Sequence, residues 1–77
     1  MSVPINIPKL GVSMSEGTLI EWLVPDGSTV SEGQEIYRLE TDKVENDVES
    51  PASGTLRITG IEGEIYAVGD SIGEIES

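Results

Sequence analysis

GTLIEWLVPDGSTVSEGQEIYRLET, residues 17–41, returns in altered form as GTLRITGIEGEIYAVGDSIGEIES, residues 54–77. Gly17-Thr18-Leu19 recurs 37 positions later as Gly54-Thr55-Leu56, and one deletion then shortens the offset to 36. In that register Gly27 matches Gly63, Gly33 matches Gly69, Ile36 matches Ile72 and Glu40 matches Glu76, while Leu39/Ile75 and Thr41/Ser77 are close substitutions. Upstream, the spacing from Ile5 to Pro8 is echoed by Val48 and Pro51. Glycine tolerates the positive φ of tight turns, so matched glycines mark matched turns. A Gly- and Glu-rich chain produces chance matches, but chance does not hold one register through four turns.

The segments between these turns are short and rich in β-branched and aromatic residues: INI, TLIEWLV, EIYRLET and TLRITGI, separated by PDG, SEG, PASG, EGE and VGD. That punctuation predicts seven or eight short strands and an all-β fold. No stretch of ten or more residues shows helical periodicity free of Gly or Pro. The internal repeat covers about residues 5–41 and 44–77 of one 77-residue domain. Neither half has enough strands to bury an apolar face alone, so the two are expected to pack together about a pseudo-two-fold axis.

Composition narrows the chemistry. Fifteen acidic residues against four basic ones give a net charge of −11. Such a surface repels phosphate backbones and anionic headgroups, so neither nucleic acid nor a membrane surface is an expected partner. Basic docking surfaces on other proteins attract it, although acidity also serves solubility alone. Without cysteine or histidine the chain lacks disulfides, thiolate ligands, the commonest metal ligand and the commonest general base, so no metal site is expected. No apolar run reaches the ~20 residues of a membrane span, and MSVPINIPKL reads as neither a signal nor a transit peptide. A cytoplasmic location is expected, or the mitochondrial matrix if a transit peptide has been removed.

The halves differ in two places. Nine positions separate Pro8 from Gly17 but only three separate Pro51 from Gly54. The first half therefore carries an extra loop at KLGVSMSE, residues 9–16, and added surface loops more often carry function than strands do. The second difference is ETDKVEN, residues 40–46, at the junction of the halves. EIYRLET and VENDVES read as a hairpin with Asp42-Lys43 at its tip, where the absence of glycine favours a type I turn. In the outgoing strand Val44, Asn46, Val48 and Ser50 share one face and Glu45, Asp47 and Glu49 the other. A two-residue loop sets Arg38 opposite Asp47, a stabilising pair, and Glu40 opposite Glu45, a destabilising one. Lys43 is poorly suited to act as a catalytic amine, because neighbouring acids favour its ammonium form. At an exposed turn it is well placed to be modified by another enzyme, while an ordinary solvated lysine stays open on physical grounds alone.

ETDKV followed by VESPASG, with GTLIEWLVPDGSTVSEGQEI before and EGEIYAVGDSIGEIE after, resembles the lipoyl domain of dihydrolipoyl acyltransferases of 2-oxo acid dehydrogenase complexes. The resemblance runs from about Ile5 to Glu76. It implies the lipoyl/biotinyl carrier fold, a flattened β-barrel of two four-stranded antiparallel sheets with pseudo-two-fold symmetry. It also implies that lipoic acid is attached covalently to Lys43, with Asp42 and Val44 as the presented flanks. The loop Lys9, Leu10, Gly11, Val12, Ser13, Met14, Ser15 and Glu16 then contributes to partner recognition, together with the charges of Glu40 and Glu45. The implied partners are a lipoate-protein ligase or lipoyl transferase, a thiamine-diphosphate-dependent 2-oxo acid decarboxylase, the acyltransferase catalytic core and a dihydrolipoyl dehydrogenase. The domain itself is expected to be monomeric and to hold no catalytic site, as a piece of an acyltransferase or a separate carrier.

Three rival readings follow from the same residues. Biotinyl carrier domains share the fold and the hairpin lysine but usually place it between methionines, where this chain has Asp42 and Val44. Glycine-cleavage carrier proteins are also lipoylated but are substantially longer chains. A non-carrier β-barrel used for binding or scaffolding is the third. GDSIG, residues 69–73, fits the G-x-S-x-G nucleophile pattern, but that motif needs a strand-to-helix turn and a histidine. Gly69 matches Gly33, so the segment is expected to be a turn.

Overall fold

The computed structural model describes residues 2–11, 13–41 and 44–77. Eight strands follow one another along the chain: β1 (Ser2–Asn6), β2 (Glu16–Trp22), β3 (Thr29–Val30), β4 (Glu35–Thr41), β5 (Val44–Glu49), β6 (Gly54–Ile58), β7 (Ile65–Ala67) and β8 (Ser71–Glu76). All pairings are antiparallel and form two four-stranded sheets, β1-β8-β6-β3 and β5-β4-β2-β7. Advancing every strand of the first order by four, counted around the eight, yields the second. The flattened barrel measures 33 × 19 × 19 Å.

The repeated glycines explain why both halves bend alike. Gly27 and Gly63 have φ of 86° and 89°, and Gly33 and Gly69 of 88° and 94°, in the left-handed region that side chains disfavour. Each turn then places its main chain on the other half. Leu19 donates to the Glu64 carbonyl at 3.0 Å and accepts from the Gly63 N–H at 2.6 Å; its counterpart Leu56 donates to Ser28 and accepts from Gly27, both at 2.8 Å. Ile7 pairs in the same way with Gly69 and Asp70, and Ser50 with Gly33 and Gln34. Turn carboxylates strengthen the exchange, with Ile58 N–H donating to Asp26 and Trp22 N–H to Glu62, each at 2.8 Å. Gly69 lies in one of these turns, so GDSIG is the entry to β8.

Between the sheets lie Ile5, Ile7, Leu19, Val30, Ile36, Tyr37, Leu39, Leu56, Ile72 and Ile75. Three pairs of the repeat, Leu19/Leu56, Ile36/Ile72 and Leu39/Ile75, are 0% exposed in both halves. The symmetry breaks at Tyr37, whose counterpart in the repeat is Gly73. Tyr37 is buried beside Trp22, with ring centroids 5.3 Å apart at 53°, a tilted aromatic contact. Two expectations need correction at strand ends. β1 begins at Ser2, ahead of the INI segment; Pro4 is tolerated there because β1 is an edge strand with only β8 to pair with. β2 begins at Glu16, which pairs with Ala67 and so belongs to the sheet rather than to the inserted loop.

The Tyr37 hydroxyl is buried and has no hydrogen-bond partner among the described residues. Burial pushes its pKa from 10 up to about 12. The folded state therefore holds the phenolic proton more tightly than the unfolded chain does, so this stability is complete below pH 10 and is lost as pH rises toward 12. A rise of that size corresponds to roughly 2–3 kcal/mol. Chemical denaturation followed across this window should show the decline in the wild type and a smaller one in Tyr37→Phe. Near neutral pH the same variant should match the wild type or exceed it by up to ~1 kcal/mol, because it removes an orphaned hydroxyl.

Candidate functional site

β4 and β5 form the hairpin at the junction of the halves. Arg38 stands opposite Asp47, Glu40 opposite Glu45 and Thr41 opposite Val44, the register that a two-residue connection demands. Asp42 and Lys43, the residues of that connection, lie outside the described residues, as does Val12. Along β5 the half-buried Asn46 and Val48 alternate with exposed Glu45, Asp47 and Glu49. Val44 keeps the phase of the inner face yet is 56% exposed, because it stands beyond the edge of the core.

The inserted loop folds back beside this hairpin. Met14 donates its N–H to the Gly11 carbonyl at 3.1 Å, and the Leu10 N–H points at the Met14 sulfur at 3.2 Å. Met14 packs against the core, while Lys9, Leu10, Gly11, Ser13 and Ser15 are exposed. The loop is anchored at its far end, where the Ser15 carbonyl accepts the Val68 N–H at 3.0 Å. A cavity of about 550 Å³ lies between loop and hairpin, walled by Leu10, Gly11, Ser13, Met14, Ser15 and Glu16 on one side and by Thr41, Val44 and Asn46 on the other.

Among the described residues, the structure thus brings together most of those singled out from the sequence. Lys9 is exposed but does not line the cavity, and neither do Glu40 and Glu45. Thr41 and Asn46 were not singled out. Asn46 was visible as a polar residue in the apolar phase of β5, between Val44 and Val48. Thr41 carried no such signal, because its place in the wall follows from the folding back of the loop.

Around the hairpin the charge is concentrated on one sheet. The cross-strand partners Glu35 and Glu49, Glu40 and Glu45, and Arg38 and Asp47 stand side by side, with Glu21 on the other flank of Arg38. Arg38 is the hub: it reaches Asp47 at 3.0 Å, Glu21 at 3.1 Å and Glu45 at 3.8 Å. The hydrogen bond and charge of Asp47 lead in raising the guanidinium pKa still further, with smaller contributions from Glu21 and Glu45. Glu45 thus leans toward a cation while standing opposite Glu40, which moderates the like-charge contact expected from the register. Among the described residues no group of three acids could hold a metal ion. What the site offers is a shaped wall with exposed apolar atoms from Leu10 and Val44, set beside a field of carboxylates.

Comparison with known proteins places these features in context. The model of the family described as "Biotin-requiring enzyme", the biotin/lipoyl family, matches residues 3–75. The dihydrolipoyllysine-residue acetyltransferase component of the acetoin cleaving system of Cupriavidus necator is 51% identical over 55 residues, which is 71% of this chain and 15% of that protein. The dihydrolipoyllysine-residue succinyltransferase component of the 2-oxoglutarate dehydrogenase complex of Rickettsia felis is 40% identical over 76 residues, 97% of this chain and 19% of that protein. The chain therefore spans less than a fifth of the length of either relative. Among solved structures, the lipoyl domain of the 2-oxoglutarate dehydrogenase complex of Azotobacter vinelandii superimposes with a TM-score of 0.78 at 29% identity, covering 97% of this chain and 96% of that one.

Arg38 is surrounded by carboxylates that lose their common counter-ion in Arg38→Gln. This variant should unfold at lower temperature than the wild type in dilute buffer. The difference should shrink in about 1 M salt, where the screening length falls to roughly 3 Å. Thermal melts at the two salt concentrations make the comparison.

Proposed function

This chain belongs to the biotin/lipoyl family, as a lipoyl domain of the kind found in dihydrolipoyllysine acyltransferase components, and from that premise we propose that it carries lipoic acid in amide linkage on Lys43. The observation that carries the reading is where Asp42-Lys43 falls in the chain: between β4, which ends at Thr41, and β5, which begins at Val44, at the junction of two symmetric halves. The acidic residues on either side keep an unmodified amine charged. Amide formation with the lipoyl carboxyl removes that charge, leaving a neutral arm beside a negative surface. The bound dithiolane supplies disulfide redox and acyl-accepting chemistry that no side chain of a cysteine-free protein provides.

The remaining residues act as recognition. Val44 and Leu10 are 56% and 47% exposed and give the flanks of the attachment segment an apolar wall. Lys9 and the loop through Ser15, with Glu16 at the start of β2 and Thr41, Asn46, Glu40 and Glu45, form a composite of shape and charge for approaching enzymes. Those enzymes are a lipoate-protein ligase or lipoyl transferase, a thiamine-diphosphate-dependent 2-oxo acid decarboxylase, an acyltransferase core and a dihydrolipoyl dehydrogenase. The names of the relatives support this reading, since each is an acyltransferase component of a multienzyme system. Basic rims on the partners would meet the acidic sheet with favourable steering.

Incubation with a lipoate-protein ligase, lipoate and ATP should add the mass of one lipoyl group to the intact protein, and Lys43→Arg should abolish the gain. No gain, or a gain that survives the substitution, would overturn the assignment. A gain seen only with a biotin ligase and biotin would redirect it to a biotinyl carrier.

A further inference from the structure

Gly17 and Gly54 are counterparts in the repeat, each near the start of its strand, but their surroundings differ in kind. A Cβ on Gly54 would overlap the Glu76 carbonyl oxygen, a main-chain atom of the neighbouring strand, and stand 2.9 Å from Ile75 Cγ2. Gly54 is therefore required by the fold. The three atoms nearest a Cβ on Gly17 all belong to side chains, Leu39 Cδ1 at 3.0 Å, Leu39 Cγ at 3.1 Å and Thr41 Cγ2 at 3.2 Å. These contacts are tight by a few tenths of an ångström and can be relieved by side-chain movement. Leu39 is 0% exposed and held by the core, whereas Thr41 is half-buried at the end of β4 and has room to move outward.

Position 17 also stands where the two walls of the cavity meet. Its chain neighbour Glu16 belongs to the loop wall and Thr41 to the hairpin wall. The loop side is held in place, because Gly17 pairs with Tyr66, Glu16 with Ala67, and the Ser15 carbonyl accepts the Val68 N–H. The hairpin side rests against Gly17 through the Thr41 methyl. Thr41 pairs with Val44 and immediately precedes Asp42 and Lys43 in the chain. We propose that Gly17 is a positioning residue: the missing side chain lets Thr41 seat against β2, and this sets the spacing between the loop and the attachment hairpin that the decarboxylase reads as one surface. The inference rests on the carrier function proposed above and assigns to Gly17 a part in recognition that Gly54 does not share.

The experiment uses the 77-residue chain, lipoylated on Lys43, with the wild type first screened against decarboxylases specific for pyruvate, 2-oxoglutarate and acetoin. Reductive acylation by whichever accepts the wild type is then measured against the concentration of domain. Gly17→Ala should fold cooperatively and raise KM about 3- to 10-fold with little change in kcat, well short of the ~100-fold attached to a 1 Å misplacement. Its rate of lipoylation by the ligase should change less than twofold or so, because a surface spacing read by one partner need not be read by another. Thr41→Ser removes the methyl that the new Cβ meets while leaving the Leu39 contact common to both variants, so Gly17→Ala/Thr41→Ser should regain most of the lost KM. An unchanged KM, a failure of the double variant to recover, or equal loss of lipoylation and acylation overturns the inference while leaving the carrier function intact. If the wild type itself accepts no lipoyl group, both readings fall together.

Discussion

Leu19 and Leu56 each direct both main-chain hydrogen bonds to the other half of the chain, Leu19 to Gly63 and Glu64, Leu56 to Gly27 and Ser28. Much of the structure depends on that exchange. A four-strand half of this protein has one apolar face and no helix to cover it, so it gains a core only by crossing with its counterpart. The crossing needs turns with left-handed φ at matched positions, which the repeated glycines supply. With the leucines engaged, Ile36, Ile72, Leu39 and Ile75 are fully buried between the sheets. In a chain this short such economy matters, since a small domain buries a modest share of its surface and holds little stability in reserve.

The pseudo-symmetry also shows where the protein departs from what folding requires. Where the two halves differ, the difference is concentrated near the junction: the loop of residues 9–16, the carboxylates of β4 and β5, and the connection that holds Lys43. The paired acids Glu35/Glu49 and Glu40/Glu45 stand directly opposite each other, an arrangement that weakens a sheet. Arg38 offsets part of that repulsion by reaching Glu21, Asp47 and Glu45. A surface with unfavourable like-charge contacts is suited to partners that bring positive charge, which connects the electrostatics of the sheet to its proposed role in a multienzyme assembly.

Much of this was legible beforehand. The hairpin register could be counted from the sequence, because a two-residue connection leaves one alignment of the flanking strands. The turns could be counted from glycines. Strand ends were less legible: the INI segment marked only part of β1, which begins at Ser2 and holds Pro4 at the edge of the sheet. Glu16 read as part of the loop because its pairing with Ala67 joins residues 51 positions apart. Thr41 and Asn46 entered the cavity wall for a similar reason, since the folding back of a loop is not encoded in local alternation. Tyr37 stands opposite Gly73 in the repeat, and nothing in the pattern of either half marks that core position as one large ring or as an orphaned hydroxyl.

The sequence by itself determined the all-β class, the doubled architecture and the hairpin register. Each of these follows from short-range rules: glycine positions, period-two alternation and the spacing between turns, to which the family resemblance added the candidate attachment lysine and the chemistry of the arm. Tertiary structure alone decided that the loop and hairpin share one cavity, that Arg38 also reaches Glu21 on β2, and that the atoms nearest Gly17 are side-chain atoms whereas Gly54 abuts main chain. Those outcomes depend on distances between residues remote in the chain, and such distances exist only after the two halves have crossed.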